Sequence, residues 1–285
     1  MSLLSSLTQS PTTVAAELRP PRAELDTAAG IEAWIDTYHA VRGLTQNNTY
    51  VFLTDSAVGR QEEHNLRHLV TNLGHDAPRD RVVPFLTAKH TLDYCLDYAS
   101  RAWEHRFRSL VVLGGDTSVG PRRCVERGWQ LRQAIRERQP ELELGGWVNP
   151  HKDPRLQVGY LLEPAATADF FLTQVVSHHD MRALELFLNE ATRQKLAMPG
   201  LFGVFYYRSA NRRTLDALAP FLPVPREALI QDFARGATAL DVCSRTVRAL
   251  KSLGIGNIYI SNLPVDQAPT VLREVLRRSD DSESS

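Results

Sequence analysis

The sequence predicts an α/β fold, a single (β/α)8 TIM barrel, on three observations. Short apolar or β-branched runs alternate with longer amphipathic stretches, and eight such runs can be read. The runs are mostly continuous instead of alternating in polarity, as parallel strands covered by helices require. A chain of 285 residues has the length of such a barrel. An open doubly wound sheet shares this rhythm, and periodicity alone leaves both architectures standing.

The strand runs are Thr13–Leu18, Thr49–Thr54, Arg81–Thr87, Ser109–Gly114, Leu142–Val148, Phe170–Val175, Gly200–Tyr207 and Asn257–Ser261. Helical spacing fills the intervals. In Ile31–Val41 the residues Ile31, Trp34, Ile35, Tyr38 and Val41 share one face, and Leu92–Trp103 and Met181–Gln194 repeat the pattern. Val265–Arg278 ends in a basic turn that suits a helix C-terminus. Between the seventh and eighth runs lie three helical stretches, Asn211–Phe221, Arg226–Ala234 and Thr238–Leu253, where one would suffice. An extra helix inserted at one end of the barrel is expected there. Residues 1–12 are expected to be a flexible N-terminus, 13–278 the barrel, and 279–285 a disordered tail too polar to pack.

Composition excludes several classes. Lys and Arg number 33 and Asp and Glu 33, so there is no broad positive field for nucleic acid or an anionic membrane. No segment reaches the ~18 consecutive apolar residues of a membrane span. Cys95, Cys124 and Cys243 are scattered, which predicts reduced thiols in a cytoplasmic protein and neither a disulfide frame nor a zinc site.

In a barrel of this kind, function gathers where strands end. Glu17 closes the first run and is followed by Leu-Arg-Pro-Pro-Arg22, whose prolines stiffen the chain behind the carboxylate. Such a carboxyl serves as a general acid when its pKa is raised, or pairs with Arg22 or another arginine. The glycine-rich turn Leu113–Gly120 carries Asp116, suited either to the N–H and NH2 edge of an amino-pyrimidinone ring or to a helix N-cap. Thr54, Asp55, Thr87, His151 and Gln174 are further polar strand ends. Trp147 and Phe205-Tyr206-Tyr207 offer stacking surfaces for a planar ligand, or simply fill the barrel top. Arg122-Arg123 reads as solvated charge or as a partner for a carboxylate or pyrophosphate. His178-His179-Asp180 invites a metal reading, but neighbouring side chains diverge, so no metal is expected; Asp180 reads as the N-cap of the next helix.

Taken in order, these strand ends resemble the methylenetetrahydrofolate reductase family, in its divergent flavin-independent actinobacterial branch. The family's Glu-x-x-Pro-Pro-Arg is matched by Glu17-Leu-Arg-Pro-Pro-Arg22, and its Ala-Asp-Phe-x-x-Thr-Gln by Ala168-Asp-Phe-Phe-Leu-Thr-Gln174. Thr54, the pair Leu86-Thr87, Gly114-Gly115-Asp116 and Trp147-Val-Asn-Pro-His151 match weaker motifs in the right sequence. The resemblance implies reduction of 5,10-methylenetetrahydrofolate to 5-methyltetrahydrofolate, a small-molecule reaction with no nucleic acid or membrane partner. It implies Glu17 as general acid, and Asp116, Gln174 and Thr54 as folate contacts. It further points to Thr87, Trp147, His151 and Tyr206 as contacts of the dinucleotide.

The departures concern the cofactor. Gly114 stands where the family has an arginine, Phe85 where it has a histidine, and Glu163 near a flavin-contacting lysine. These changes predict that FAD is absent and that NADH delivers hydride directly. An FAD-dependent reductase, a non-catalytic folate-binding protein and an unrelated α/β enzyme are the alternatives.

Overall fold

The computed structural model describes residues 1–21, 24–55, 77–117 and 120–281; Arg22, Ala23, the segment 56–76, Ser118, Val119 and the last four residues lie outside the described residues. Eight parallel strands close into a barrel in sequence order, β1 pairing with β8 at the seam. They are β1 (Val14–Leu18), β2 (Tyr50–Leu53), β3 (Val82–Thr87), β4 (Ser109–Leu113), β5 (Glu143–Val148), β6 (Phe170–Val176), β7 (Gly200–Phe205) and β8 (Ile258–Ser261). Each falls within a residue or two of its predicted run, because continuous apolar segments can be buried on both faces only in this way. The described helices are α1 (Leu3–Gln9), α2 (Thr27–Gln46), α3 (Leu92–Glu104), α4 (Gly128–Arg138), α5 (Pro154–Leu162), α6 (Arg182–Arg193), α7 (Arg212–Leu218), α8 (Arg226–Ala234), α9 (Ala239–Ser252) and α10 (Ala268–Asp280). None is long and apolar enough to cross a membrane.

Two cores result. The larger one lies between strands and helices and includes Leu53, Leu86, Val112, Leu131, Phe187 and Val247. The smaller fills the barrel itself with Ala15, Phe52, Phe85, Val111, Phe170, Leu172, Leu201 and Tyr259, at alternate strand positions. Gly203 makes room there, since a Cβ on it would lie 2.5 Å from the Tyr259 hydroxyl. That hydroxyl crosses the interior and donates to the Thr173 carbonyl at 2.6 Å.

The N-terminus departs from expectation. Residues 3–9 are not flexible but form α1, capped by Ser2, and Leu3 and Leu7 join the interior core. Leu4 N–H donates to Glu143 Oε2 at 3.2 Å, and Ser6 Oγ lies 2.7 Å from the Tyr50 hydroxyl. The helix therefore plugs the barrel at the N-terminal end of its strands. At the other end of the chain, Ser279 and Asp280 belong to α10, and Ser279 is buried. The rest of the expected tail beyond Asp281 lies outside the described residues.

Helix α2 is also rotated from its predicted face. Trp34, Thr37, Ala40, Val41 and Leu44 are buried, whereas Ile31 is 56% and Ile35 48% exposed. The small residues explain this: a Cβ on Gly43 would approach Pro269 of α10 to 2.8 Å, so the helix turns its slimmest face to its neighbour. Helices α7, α8 and α9 occupy the β7–β8 interval as predicted. They bury Leu215, Leu229 and Val242 against Tyr207 in a small core of their own.

Candidate functional site at the barrel mouth

Glu17 is the second inward position of β1. It follows Ala15 of the interior core by two residues, and its register partners are Phe52 and Ser261. Ser261 Oγ donates to Glu17 Oε1 at 3.0 Å. Burial pushes the carboxyl above its ordinary pKa; the Ser261 hydrogen bond and the charge of Arg19 pull it back only in part. The result is a carboxyl at the strand ends that holds its proton above the usual carboxylate range. Tyr259, directly below on β8, has its own pKa raised by burial and then by the charge of Glu17.

Gln174 leaves β6 at the register shift between Leu172 and Val175. Its Oε1 accepts from Val175 N–H at 2.9 Å, and its Nε2 donates to the Phe221 carbonyl at 3.1 Å. Phe221 lies between α7 and α8, so the inserted helices reach the mouth at this residue. Asp116 is partly buried in the loop after β4. The following helix α4 is capped at Arg127, which removes the N-cap reading of Asp116.

Thr54 continues the β1–β2 ladder, its N–H donating to the Leu18 carbonyl at 3.1 Å and its hydroxyl reaching the same oxygen at 3.4 Å. Thr87 is fully buried; its N–H and hydroxyl donate to Asp55 Oδ2 at 2.8 and 2.9 Å. His90 Nε2 lies 2.8 Å from the same oxygen. Burial lowers the His90 pKa, but the hydrogen bond and charge of Asp55 outweigh it, and the net direction is upward. Asp55 is thus a hub joining three segments, a role its place in the sequence did not disclose.

Trp147, two positions beyond Gly145, takes the inward parity at the end of β5 and is 37% exposed. His151 is pinned, its Nε2 3.1 Å from the Val175 carbonyl and its N–H donating to Asn149 Oδ1 at 3.0 Å. Tyr206 corrects the sequence reading. It is buried in the outer core, where burial and then Cys243 raise its pKa. Strand β7 ends at Phe205, and Phe205, paired with Ser261, holds the inward position instead.

Two of the cofactor positions also look different in three dimensions. Gly114 is covered by the Arg123 guanidinium, whose carbon would lie 3.1 Å from a Cβ there, and Arg123 Nη2 donates to the Gly115 carbonyl. A cation thus returns to this place from another segment. Glu163 is exposed at the C-terminal end of α5, on the outer layer and away from the strand ends. Phe85 is part of the apolar filling of the barrel, its ring centroid 5.6 Å from that of Phe52. Beside the Asp116 loop a cavity of about 330 Å³ is lined by Lys89, Thr117, Arg122, Arg123 and Cys124 among others. Lys89 Nζ donates to the Pro121 carbonyl at 2.8 Å within it.

The histidine pair was expected to diverge and does not. The rings of His178 and His179 stack with centroids 3.9 Å apart, and both approach Asp232 of α8. Asp180 does not cap α6, whose N-cap is Met181. Burial, then the neighbouring His179, hold the His178 pKa down to about 4, with Arg245 adding to them and Asp232 opposing.

Fold and site together define a (β/α)8 protein with its polar groups gathered at the C-terminal mouth of the strands. No protein-family model matches the sequence, and no curated protein sequence matches it. Solved structures match the fold. A protein of Clostridium thermocellum, described as uncharacterized and as binding two copies of 5-methyl-5,6,7,8-tetrahydrofolic acid, aligns with a TM-score of 0.70 at 16% identity. The match covers 97% of this chain and 99% of that one. A structure from Aquifex aeolicus VF5 aligns at 0.54 and 10% identity, covering 97% and 94%. The spore cortex-lytic enzyme SleL of Bacillus megaterium QM B1551 aligns at 0.50 and 10%, covering 92% and 73%. At these identities the likeness is one of fold.

Proposed function

We propose that this chain binds a reduced folate at the barrel mouth and reduces 5,10-methylenetetrahydrofolate to 5-methyltetrahydrofolate. The observation that carries the reading is Glu17: a carboxyl whose pKa is raised by burial, at the strand ends, in a barrel that also presents Asp116 and Gln174 there. Glu17 donates its proton to N10 as the five-membered ring opens. Hydride from NADH then reaches the exposed methylene carbon, giving the methyl product and NAD+. Asp116 accepts from the pterin N–H and NH2 edge, and the Gln174 amide supplies a donor and an acceptor beside it. The protein contributes placement and the proton, and the dinucleotide the reducing power. The folate-binding neighbour supports the substrate class, since its whole chain matches this fold.

Direct transfer without flavin is supported by Gly114 and Phe85, which lack the polar groups the reductase family places there. Glu163, on the outer layer, does not bear on it. The cavity beside Lys89, Arg122 and Arg123 supplies cations for the dinucleotide pyrophosphate. Arg123 over Gly114 favours a second reading, an FAD-dependent reductase gripping the flavin phosphates by a relocated cation. Purified protein separates the two. Direct transfer requires a spectrum without flavin bands and intersecting double-reciprocal lines in NADH and folate. A yellow protein with parallel lines would establish the flavin reading, and an absence of folate-dependent NADH oxidation would overturn both.

A further inference from the structure

The proposed reaction leaves His178, His179 and Asp232 unused. His179 Nε2 lies 3.0 Å and His178 Nε2 3.7 Å from the same oxygen, Asp232 Oδ2, and the three atoms fall within 4.8 Å of one another. The side chains are 17%, 18% and 14% exposed for His178, His179 and Asp232. His179 Nε2 and Asp232 Oδ2 are themselves buried, yet neither makes a hydrogen bond, so they are close without being aligned.

Thr246 of α9 decides what the His178 ring presents. Its hydroxyl reaches the Val242 carbonyl at 3.2 Å, and with the proton there the oxygen offers His178 lone pairs. It receives the His178 backbone N–H at 3.3 Å and stands 2.9 Å from the ring Nδ1, which donates to it in the tautomer that leaves Nε2 bare. In the neutral ring, Nε2 is then an unprotonated lone pair facing a carboxylate. Arg245 Nη1 lies 3.5 Å from the other oxygen, Asp232 Oδ1, and leaves Oδ2 to the histidines. Two imidazole nitrogens and a carboxylate oxygen thus converge in a largely buried place, where a cation between them would satisfy all three.

We propose that His178, His179 and Asp232 bind a divalent transition-metal ion of the zinc class, with solvent at a fourth position. Two imidazole nitrogens and one carboxylate oxygen are a donor set for such ions. Tetrahedral ligands at zinc distances stand ~3.3 Å apart, and the observed 3.0 and 3.7 Å bracket that separation. Thr246 is the partner that orients a ligating histidine through its other nitrogen. The ion fastens α8 to the turn after β6, and so holds in place the insertion whose Phe221 carbonyl meets Gln174. It takes no part in hydride transfer.

The test uses metal-free, untagged full-length protein titrated with ZnCl2 by calorimetry and with CoCl2 by visible absorption. One equivalent of each is expected to bind, Co2+ giving ligand-field bands and Zn2+ raising the melting temperature. Asp232→Asn and His179→Gln each weaken binding more than tenfold. Thr246→Val, which removes no ligand, weakens it ~10- to 100-fold, while exposed His39→Gln leaves it unchanged. Circular dichroism identifies variants that fail to fold, and the remaining ones decide. Wild-type binding no tighter than in His179→Gln and Thr246→Val, or no Co2+ bands, overturns the site. Neither result depends on whether the chain reduces folate.

Discussion

Ser261 Oγ donates to Glu17 Oε1 across 3.0 Å, joining the last strand of the barrel to the first at the seam where it closes. The bond favours the carboxylate, whereas burial favours the acid and is the larger effect. Removing the hydroxyl therefore raises the Glu17 pKa further. Ser261→Ala should move the alkaline limb of the kcat/KM profile for folate reduction to higher pH. A limb that stays put or moves down would sink Glu17 as the acid.

Glu17→Gln keeps the shape and loses the transferable proton. Folate reduction should fall by roughly 10²- to 10⁴-fold, with 5-methyltetrahydrofolate binding retained in calorimetry. Stability should move the other way. Because the folded pKa lies above the unfolded one, the ionised side chain costs stability at neutral pH, a cost that vanishes below the unfolded value of about 4.3. The variant should melt above wild type at neutral pH and converge with it in acid. Equal melting at every pH would show that Glu17 carries no burial cost.

Gln174 shares its amide between its own strand and the Phe221 carbonyl. Gln174→Ala should weaken 5-methyltetrahydrofolate binding by about 1–3 kcal/mol, the range for a lost hydrogen-bonding partner in a buried site. An unchanged dissociation constant in calorimetry would remove Gln174 from the folate site.

Asp55 serves Thr87 and His90 at once. Thr87→Val deletes a buried donor and should cost about 1–3 kcal/mol in urea unfolding. Since Asp55 raises the His90 pKa, that pair stabilises fully below about pH 6.5 and loses its effect as pH rises through the folded value. His90→Asn should therefore destabilise at pH 6 more than at pH 8; the opposite order in thermal melts would refute the pairing.

Leu3 is fully buried in the core that fills the barrel. Leu3→Ala should destabilise by about 2–5 kcal/mol, an effect a flexible N-terminus could not produce. A midpoint in urea equal to wild type would return the segment to the status the sequence suggested.

The strands and most helices could be read from the chain because their signals are local. A continuous β-branched run, or a polar edge every three to four residues, needs no knowledge of the rest of the fold. Glu17, Asp116 and Gln174 were legible for the same reason, each standing just past such a run. Tyr206 was misplaced because side chains alternate along a strand: Phe205 takes the inward parity, so Tyr206, whose N–H still bonds the Ser261 carbonyl, faces the outer core. The α2 face was misjudged because Thr37 and Gly43 count for little in hydrophobicity and for much in how closely two helices approach.

By itself, then, the sequence determined an alternation of eight strands with helices, the inserted helices and the polar residues at the strand ends. Only the tertiary structure decided which of those residues share a space. The α1 plug, the Asp55 hub, Arg123 over Gly114, and His178 and His179 meeting Asp232 all join segments distant along the chain. Their geometry arises when β8 closes on β1 and the outer helices settle against the wall. Long-range convergence of this kind leaves no periodicity for a sequence to display.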